Sequence, residues 1–159
     1  MEYIQALNDA TDDCFLCRYV PQADRDAENL VLWRGERTLV VMNRFPYSSG
    51  HLLVAPTAHV GTLNDLDTET MTEIMLAVRD GQNVLQQVIH PDGFNVGINL
   101  GRCAGAGLPG HLHVHIVPRW DGDTNFMTVM GDVRVIPQSL DKLYSALRER
   151  AEQLGLRRG

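Results

Sequence analysis

Apolar residues fall into short runs and periodic stripes that predict strands and helices along the chain. Three β-branched apolar runs are typical of strands bounded by turn residues: residues 29–33, 38–43 and 51–56. The four residues between the first two runs predict a hairpin turn in which Gly35 supplies the special backbone angles. Residues 12–29 are polar and turn-like, and residues 2–10 predict a short helix.

A long helix is predicted after the third strand, because apolar residues recur there at intervals of three and four. Asp67 is the expected N-cap, and Leu66 is expected to pack onto Met71 as a hydrophobic staple. Pro91 and Gly93 end the helix. The apolar positions of this helix are Met71, Ile74, Met75, Val78, Leu85, Val88 and Ile89.

Two further stretches alternate between apolar and polar residues, which is typical of strands. They are residues 94–101 and 111–117, and a last helical stripe covers residues 139–154. The order β-β-β-α-β-β-α predicts an α+β fold, an antiparallel meander of about five strands with a long central helix and a C-terminal helix on one face. No repeat or linker divides the 159 residues, so a single domain over residues 1–159 is expected.

The composition restricts the classes of protein that fit. The formal net charge is −6 and the basic residues are scattered, which argues against a binder of duplex nucleic acid but not against a nucleotide ligand. No run is long and apolar enough to span a membrane, and the first ten residues lack the pattern of a secretory signal. We therefore expect a cytoplasmic protein with a small-molecule partner and no membrane partner.

Three histidines occupy alternate positions in the stretch GHLHVHIVPRW, residues 110–120. Because side chains alternate faces along a strand, His111, His113 and His115 are predicted to project to one side, about 7 Å apart. Imidazole serves as nucleophile, general acid or metal ligand near neutral pH. Three interpretations stay open at this point: a solvent-exposed face, a three-histidine metal site and a site for phosphoryl chemistry.

The stretch RCAGAGLPG, residues 102–110, favours phosphoryl chemistry, because backbone N–H groups of a glycine-rich loop can surround phosphate oxygens. His113 is then positioned to attack phosphorus and form a phosphoramidate. Its other ring nitrogen must be held by a hydrogen bond that fixes the tautomer. His115 is expected to bond the phosphate oxygens or the bridging oxygen of the leaving group.

Two of the three cysteines form a Cys-x-x-Cys pair, Cys14 and Cys17. An odd number of cysteines does not indicate a disulfide framework, whereas the pair alone fits a redox site, half a zinc site or two buried thiols. Zinc needs two more ligands, and His59 and His111 are candidates. Four protein ligands would leave no open coordination position, so such a zinc ion would be structural.

The triad resembles the signature of the histidine-triad (HIT) superfamily, His-φ-His-φ-His-φ-φ, in which φ is apolar. Residues 111–117 read His-Leu-His-Val-His-Ile-Val and match it completely. Residues 40–60, with an Asn, a loop and Gly-His before an apolar strand, resemble the superfamily's other signature. Residues 94–101 and 122–127 resemble the fragile-histidine-triad-like proteins and the bacterial diadenosine tetraphosphate phosphorylases. The likeness covers roughly residues 14–150.

The resemblance implies roles for individual residues. His113 would be the nucleophile that carries the nucleotidyl group, with His115 at the phosphates and His51 supporting the site. Asn43 would hold the ribose hydroxyls, and Asn99 would contact phosphate or bridging oxygens. Backbone N–H groups around Gly107 would donate hydrogen bonds to the phosphate oxygens. The resemblance also implies a structural zinc site with four ligands: Cys14, Cys17, His59 and His111.

The family's chemistry leaves several activities open. The resemblance implies an antiparallel sheet flanked by helices, a homodimer with a joined sheet, and attack on the α-phosphate of a dinucleoside polyphosphate. Phosphate would release the nucleotide in a phosphorylase, and water in a hydrolase. One alternative is a phosphoramidase that cleaves amine adducts of nucleoside monophosphates, and another is a nucleotide-binding sensor with little turnover. The uridylyltransferase relatives have Gln at the third triad position, where this chain has His115.

Overall fold

The computed structural model describes residues 14–123 and 139–156. The predicted helix at residues 2–10 lies outside them. Short 3-10 turns occur at Ala23–Arg25, Leu63–Asp65 and Arg102–Ala104. The helices and strands are α1 (Phe15–Tyr19), β1 (Val31–Arg34), β2 (Thr38–Met42), β3 (Leu52–Pro56), α2 (Thr68–Ile89), β4 (Gly93–Ile98), β5 (Val114–Arg119) and α3 (Leu140–Gln153).

Within the described residues, five antiparallel strands form one sheet in the order β1-β2-β3-β5-β4. This confirms the predicted α+β fold. The prediction of a simple meander is wrong at its end, because β5 lies between β3 and β4. The burial patterns match these positions: β5 alternates buried with half-buried residues, whereas the edge strand β4 is half-buried or exposed throughout.

The central strands send alternate side chains into two cores on opposite faces of the sheet. The larger core, against α2 and α3, takes Val40, Met42, Leu52, Val54, Val114 and Ile116. The smaller core contains Leu39, Val41 and Ala55 from the sheet together with Cys14 and Leu16. The two predicted helices, α2 and α3, lie on one face of the sheet as expected. Helix α1 lies on the other face and forms within the stretch interpreted as turn-like, so that interpretation is wrong for Phe15–Tyr19.

The long helix α2 follows the prediction at its N-terminus and departs from it on one face. The carboxylate of Asp67 accepts a hydrogen bond from the backbone N–H of Thr70 at 2.7 Å, which confirms the N-cap. Met71 and Met75, predicted on the apolar face, are 41% and 58% exposed. The buried face keeps Ile74, Val78 and Leu85 as predicted and adds the small residues Ala77 and Gly81.

Gly35 is required for space and not for special backbone angles. Its N–H donates to the Thr38 carbonyl at 2.9 Å and closes the hairpin, but its φ is outside the left-handed region. A Cβ at this position would overlap the Glu73 carboxylate of α2. That carboxylate accepts hydrogen bonds from the Arg37 N–H at 2.9 Å and from the Thr38 hydroxyl at 2.7 Å.

The triad segment is shifted relative to its predicted strand, residues 111–117. The strand β5 begins at Val114, so His111 and His113 precede it. Between them, the Leu112 N–H donates to the carbonyl of Val60, in the segment after β3, at 2.6 Å. Of the triad, His115 lies in the ladder, opposite Leu53 of β3 and Gly97 of β4.

The loop that joins β4 to the triad begins earlier than the pattern predicted. The strand predicted at residues 94–101 ends at Ile98. Gly101 and Gly105 have φ angles of 82° and 83°, a left-handed conformation that favours glycine. The alternation of apolar residues therefore continues past the point where the backbone turns away from the sheet.

Candidate active site and metal centre

His51 is fully buried at the start of β3, and its hydrogen bonds determine its tautomer. Its Nδ1 accepts the backbone N–H of Tyr47 at 3.1 Å. The Asn43 amide nitrogen is also 3.1 Å from this Nδ1, and the Asn43 amide oxygen accepts the Phe45 N–H at 3.0 Å. A ring nitrogen that accepts a backbone N–H carries no proton, so the proton of neutral His51 lies on Nε2.

The hydrogen bond between His51 and His115 fixes the tautomer of His115 as well. Nε2 of His51 is 2.9 Å from Nδ1 of His115, so the Nε2–H of His51 donates and His115 Nδ1 accepts. Neutral His115 then carries its proton on Nε2, and that buried atom has no hydrogen-bond partner among the described residues. The relay therefore presents one unpaired N–H to whatever enters the site.

The electrostatics keep His115 neutral near pH 7. Burial and, to a smaller extent, the neighbouring His113 together lower the pKa of His115 to about 4. Because the ring is neutral, Nδ1 can accept from His51 while Nε2 donates. Neutral His115 can therefore act as a hydrogen-bond donor through Nε2 without giving up its proton.

His113 has the complementary arrangement. It is 7% exposed, and its Nδ1 is 2.8 Å from the backbone carbonyl of His111. Since a carbonyl only accepts, Nδ1 donates, and the Nε2 of the neutral ring carries a lone pair. The rings of His113 and His115 have centroids 4.9 Å apart at an interplanar angle of 66°. A nucleophilic nitrogen thus lies beside a ring that offers an N–H donor.

The first triad histidine belongs to a separate cluster, formed by Cys14, Cys17, His59 and His111 and called the Cys/His cluster below. Nδ1 of His111 is 3.2 Å from Cys14 Sγ and 3.4 Å from Cys17 Sγ. Cys17 Sγ is also 3.2 Å from Nδ1 of His59. All four ligand atoms lie within 4.8 Å of one another.

The cluster fits a zinc ion by its donor set and by the orientation of its imidazoles. Two sulfur and two nitrogen donors match a tetrahedral structural zinc site. Nε2 of His111 donates to the Pro56 carbonyl at 2.8 Å, which leaves the Nδ1 lone pair directed at the cysteines. Burial and the neighbouring Cys14 raise the pKa of Cys17 to about 12, so binding of a cation must displace thiol protons.

Two clefts flank the histidines. The His115 cleft, about 490 Å³, is lined by Tyr47, Ser48, Asn95, Val96, Gly97, Asn99, His115, Val117, Arg119 and Asp123. The Asn43 cleft, about 310 Å³, is lined by Phe15, Arg18, Tyr19, Asn29, Val41, Met42, Asn43, Arg44, Phe45 and Leu53. The His115 cleft therefore combines polar and apolar side chains with one arginine, whereas the Asn43 cleft is bordered by three aromatic rings and two arginines.

The predicted site residues are brought together to different degrees. His51, His113 and His115 form one connected group, and Asn43 joins it through His51. Asn99 borders the His115 cleft, and its amide donates to the Gly105 carbonyl at 3.4 Å. Gly107 is exposed on the glycine-rich loop and lies outside the linings of both clefts.

Sequence reasoning missed the aromatic residues of the site. The Tyr47 ring lies 4.7 Å from the His51 ring and 5.9 Å from the His115 ring. Phe15 and Tyr19 of α1 border the Asn43 cleft and contact each other edge to face at 5.5 Å. Their i, i+4 spacing is a helical signal that was available in the sequence.

A HIT-domain family model matches residues 24–122. The matched range covers more than half of the 159 residues and includes the triad, Asn43 and His51. The chain therefore belongs to the HIT family. Among the described residues, the longest helix lacks the apolar character needed to cross a membrane, as do the others.

Two individual relatives and one solved structure are similar to this chain. The AP-4-A phosphorylase of Mycobacterium tuberculosis is 47% identical over 121 residues, which are 76% of this chain and 62% of that protein. The chain thus spans less than two thirds of that relative. The asymmetrical bis(5'-nucleosyl)-tetraphosphatase of Schizosaccharomyces pombe is 37% identical over 93 residues, 58% of this chain and 50% of the other. A Zn-bound histidine triad family protein from Mycobacterium smegmatis superposes with a TM-score of 0.73 and 28% identity, covering 92% of this chain and 98% of its own.

Proposed function

We propose that this protein transfers a nucleotidyl group from a dinucleoside polyphosphate, such as diadenosine tetraphosphate, by attack on the α-phosphorus. One observation carries the proposal: the Nε2 lone pair of His113 and the Nε2–H of His115 belong to adjacent rings, 4.9 Å apart between centroids. A nucleophile beside a desolvated donor is what attack on the phosphorus of a phosphoanhydride requires. The names of the Mycobacterium tuberculosis and Schizosaccharomyces pombe relatives support this class of substrate.

In the first step, Nε2 of His113 attacks the α-phosphorus and forms a P–N bond. The bond from that phosphorus to the bridging oxygen breaks, and the leaving polyphosphate keeps the electron pair. His113 retains its Nδ1 proton, held by the His111 carbonyl at 2.8 Å, so the adenylylated ring is cationic. The Nε2–H of His115 donates to a phosphate oxygen on which negative charge develops.

In the second step, inorganic phosphate or water attacks the same phosphorus and the P–N bond breaks. The Nε2 lone pair of His113 is thereby restored. With diadenosine tetraphosphate, release by phosphate gives ADP and ATP, whereas release by water gives AMP and ATP. Similarity to a phosphorylase over 76% of this chain supports phosphate as the second nucleophile.

The nucleoside of the transferred group is proposed to occupy the Asn43 cleft. Its aromatic border, including Phe15 and Tyr19, suits a nucleobase, and Asn43 offers a polar group for the ribose hydroxyls. Asn99 and the backbone N–H groups around Gly107 are proposed to bind phosphate oxygens. His51 acts through His115 and is a positioning residue in this account.

The Cys/His cluster is proposed to hold a structural zinc ion. The donor set and the directed Nδ1 of His111 support this, as does the Zn-bound relative from Mycobacterium smegmatis. With four protein ligands the ion would offer no position to substrate and would supply a cross-link between α1 and the triad segment. Metal analysis of the purified protein is expected to find about one zinc per chain, and a protein free of zinc would contradict this.

A homodimer with a sheet joined at β4 is also proposed. The strand lies at the sheet edge, and an apolar cleft of about 440 Å³ borders it. Val96, Leu100, Met71 and Met75 are between 41% and 58% exposed there, and such a patch commonly marks an interface. Sedimentation equilibrium is expected to give a dimer, and a monomer at micromolar concentration would contradict it.

A single domain over residues 1–159 and a cytoplasmic location stay predictions.

Product analysis tests the proposed activity. Diadenosine tetraphosphate is incubated with the protein, with and without inorganic phosphate, and the nucleotides are separated by ion-exchange chromatography. ADP and ATP that form only with phosphate indicate a phosphorylase, and AMP and ATP without phosphate indicate a hydrolase. Cleavage of an adenosine phosphoramidate alone would indicate the phosphoramidase alternative, and binding without products would indicate the sensor. Turnover that persists in His113→Ala would overturn the mechanism.

A further inference from the structure

Helix α1 borders two sites at once. Cys14, at its N-cap, and Cys17, within it, belong to the Cys/His cluster. Phe15 and Tyr19 of the same helix line the Asn43 cleft. The helix has five residues, far fewer than an isolated helix needs to be stable in water. Its position is therefore set by contacts with the rest of the protein.

The two ends of α1 are held by different means. At the C-terminal end, the Arg34 guanidinium donates to the carbonyls of Tyr19 and Val20, both at 2.8 Å. At the N-terminal end, Leu16 is 1% exposed in the smaller core, and the thiols of Cys14 and Cys17 meet the imidazoles of the cluster. Without a cation these thiol contacts are weak hydrogen bonds, which constrain the helix far less than metal coordination does.

We propose that metal occupancy of the Cys/His cluster sets the affinity of the Asn43 cleft for the nucleoside part of the substrate. Cys14 and Cys17 are then positioning residues for that cleft. The metal fixes the N-terminal half of α1, and with it the Phe15 wall, while Arg34 and Leu16 keep the helix on the sheet. The inference rests on the proposed function, because it assigns the nucleoside to the Asn43 cleft.

The size of the effect follows from the fraction of molecules in which α1 occupies its binding position. An apparent Kd equals the intrinsic Kd divided by that fraction. If the metal-free helix is in place about one tenth of the time, the Kd for a nucleotide rises about tenfold. A merely structural role would act differently, because loss of folded protein lowers the number of binding sites and leaves the Kd of the remaining sites unchanged.

Isothermal titration with AMP measures the Kd and the number of sites together. The zinc-loaded protein is compared with Cys17→Ser, which lacks one ligand, and with Cys17→Asp, whose carboxylate is also a zinc ligand. We expect a Kd about tenfold higher for Cys17→Ser, with an unchanged number of sites, and recovery in Cys17→Asp. Cys103→Ser removes an exposed thiol outside the cluster and controls for loss of a sulfhydryl group. An equal Kd in Cys17→Ser and the parent would overturn the inference.

A second variant decides the matter if Cys17→Ser does not fold. Phe15→Ala leaves all four metal ligands in place and removes one of the aromatic rings that border the Asn43 cleft. We expect a full zinc content and a several-fold weaker affinity for AMP. Unchanged affinity in Phe15→Ala would show that Phe15 does not contribute to nucleotide binding, and would overturn the inference that the metal acts through the Phe15 wall.

The outcomes separate this inference from the proposed function. If the zinc-loaded parent binds no AMP and forms no nucleotide product, the proposed function fails and the inference fails with it. If the parent binds AMP with the same Kd with and without zinc, the inference alone fails. Zinc content is measured on every sample by atomic emission, so each Kd is assigned to a known metal occupancy.

Discussion

Replacement of His51 by Leu tests the hydrogen-bond relay that fixes the tautomer of His115. The side chain of His51 is fully buried, and Leu is an apolar residue of comparable volume. The change removes the N–H that His115 Nδ1 accepts at 2.9 Å. It also removes the ring nitrogen that accepts the Tyr47 N–H at 3.1 Å.

The expected loss follows from the unpaired groups that remain. To keep the Nε2–H donor in this variant, His115 must leave its buried Nδ1 without a partner, which costs about 1–3 kcal/mol. Without an N–H directed at its Nδ1, His115 can place its proton on that nitrogen and lose the donor at Nε2. Because each 1.4 kcal/mol corresponds to a factor of ten in rate, kcat/KM for diadenosine tetraphosphate is expected to fall about 10- to 100-fold.

The assay compares kcat/KM and zinc content in the parent, His51→Leu and His51→Gln. The Gln side chain offers an N–H donor in a similar direction, so it is expected to retain more activity than Leu. Both variants are expected to keep full zinc content, since His51 is outside the Cys/His cluster. A folded His51→Leu variant with kcat/KM within about twofold of the parent would refute the relay.

Three further predictions concern stability. The pKa of His115 is lowered from 6.5 to about 4 in the fold, so between these pH values the unfolded chain binds a proton that the folded chain does not. The free energy of unfolding, measured by chemical denaturation, should therefore fall as the pH decreases from 6.5 towards 4. This pH dependence should be weaker in His115→Gln. Asp67→Ala removes the N-cap of α2 and should lower the free energy of unfolding by about 1 kcal/mol in urea titrations, with kcat unchanged. Gly35→Ala introduces a Cβ that overlaps the Glu73 carboxylate and should lower the thermal midpoint, whereas an unchanged midpoint would contradict the close approach.

The sequence predicted which residues lie close together at the site better than it predicted their placement in the fold. The alternation of His111, His113 and His115 indicated a shared face, because the strand period is two. It could not indicate that β5 begins at Val114 and that His111 turns to the Cys/His cluster. That difference arises from the hydrogen bond between Leu112 and Val60, a contact over more than fifty residues that no local pattern encodes.

The four predicted metal ligands come together in the structure, as the Cys-x-x-Cys pair and the resemblance to the HIT superfamily implied. Cys14 and Cys17 needed two more soft or borderline donors, and the chain has only six histidines. The hydrogen-bond relay through His51 was harder to predict from the sequence. It depends on a backbone N–H of the loop at Tyr47, and main-chain donors leave no signature in residue types.

The fold shows the same division between local and long-range information. The capping of α2 by Asp67 is a local property and was predicted correctly. The sheet order was not, because the insertion of β5 between β3 and β4 depends on pairings such as Leu53 with His115. The exposure of Met71 likewise reflects the edge position of β4, which hydrophobic periodicity along a single helix does not reveal.

The covalent intermediate on His113 is the central claim, and rapid-quench mass spectrometry tests it most directly. The protein is mixed with diadenosine tetraphosphate for milliseconds, quenched at alkaline pH, where a phosphoramidate survives, and digested. The account predicts an adenylyl group on the peptide that contains His113, and its disappearance in His113→Ala. Turnover without any adduct, or an adduct on another residue that persists in His113→Ala, would contradict it.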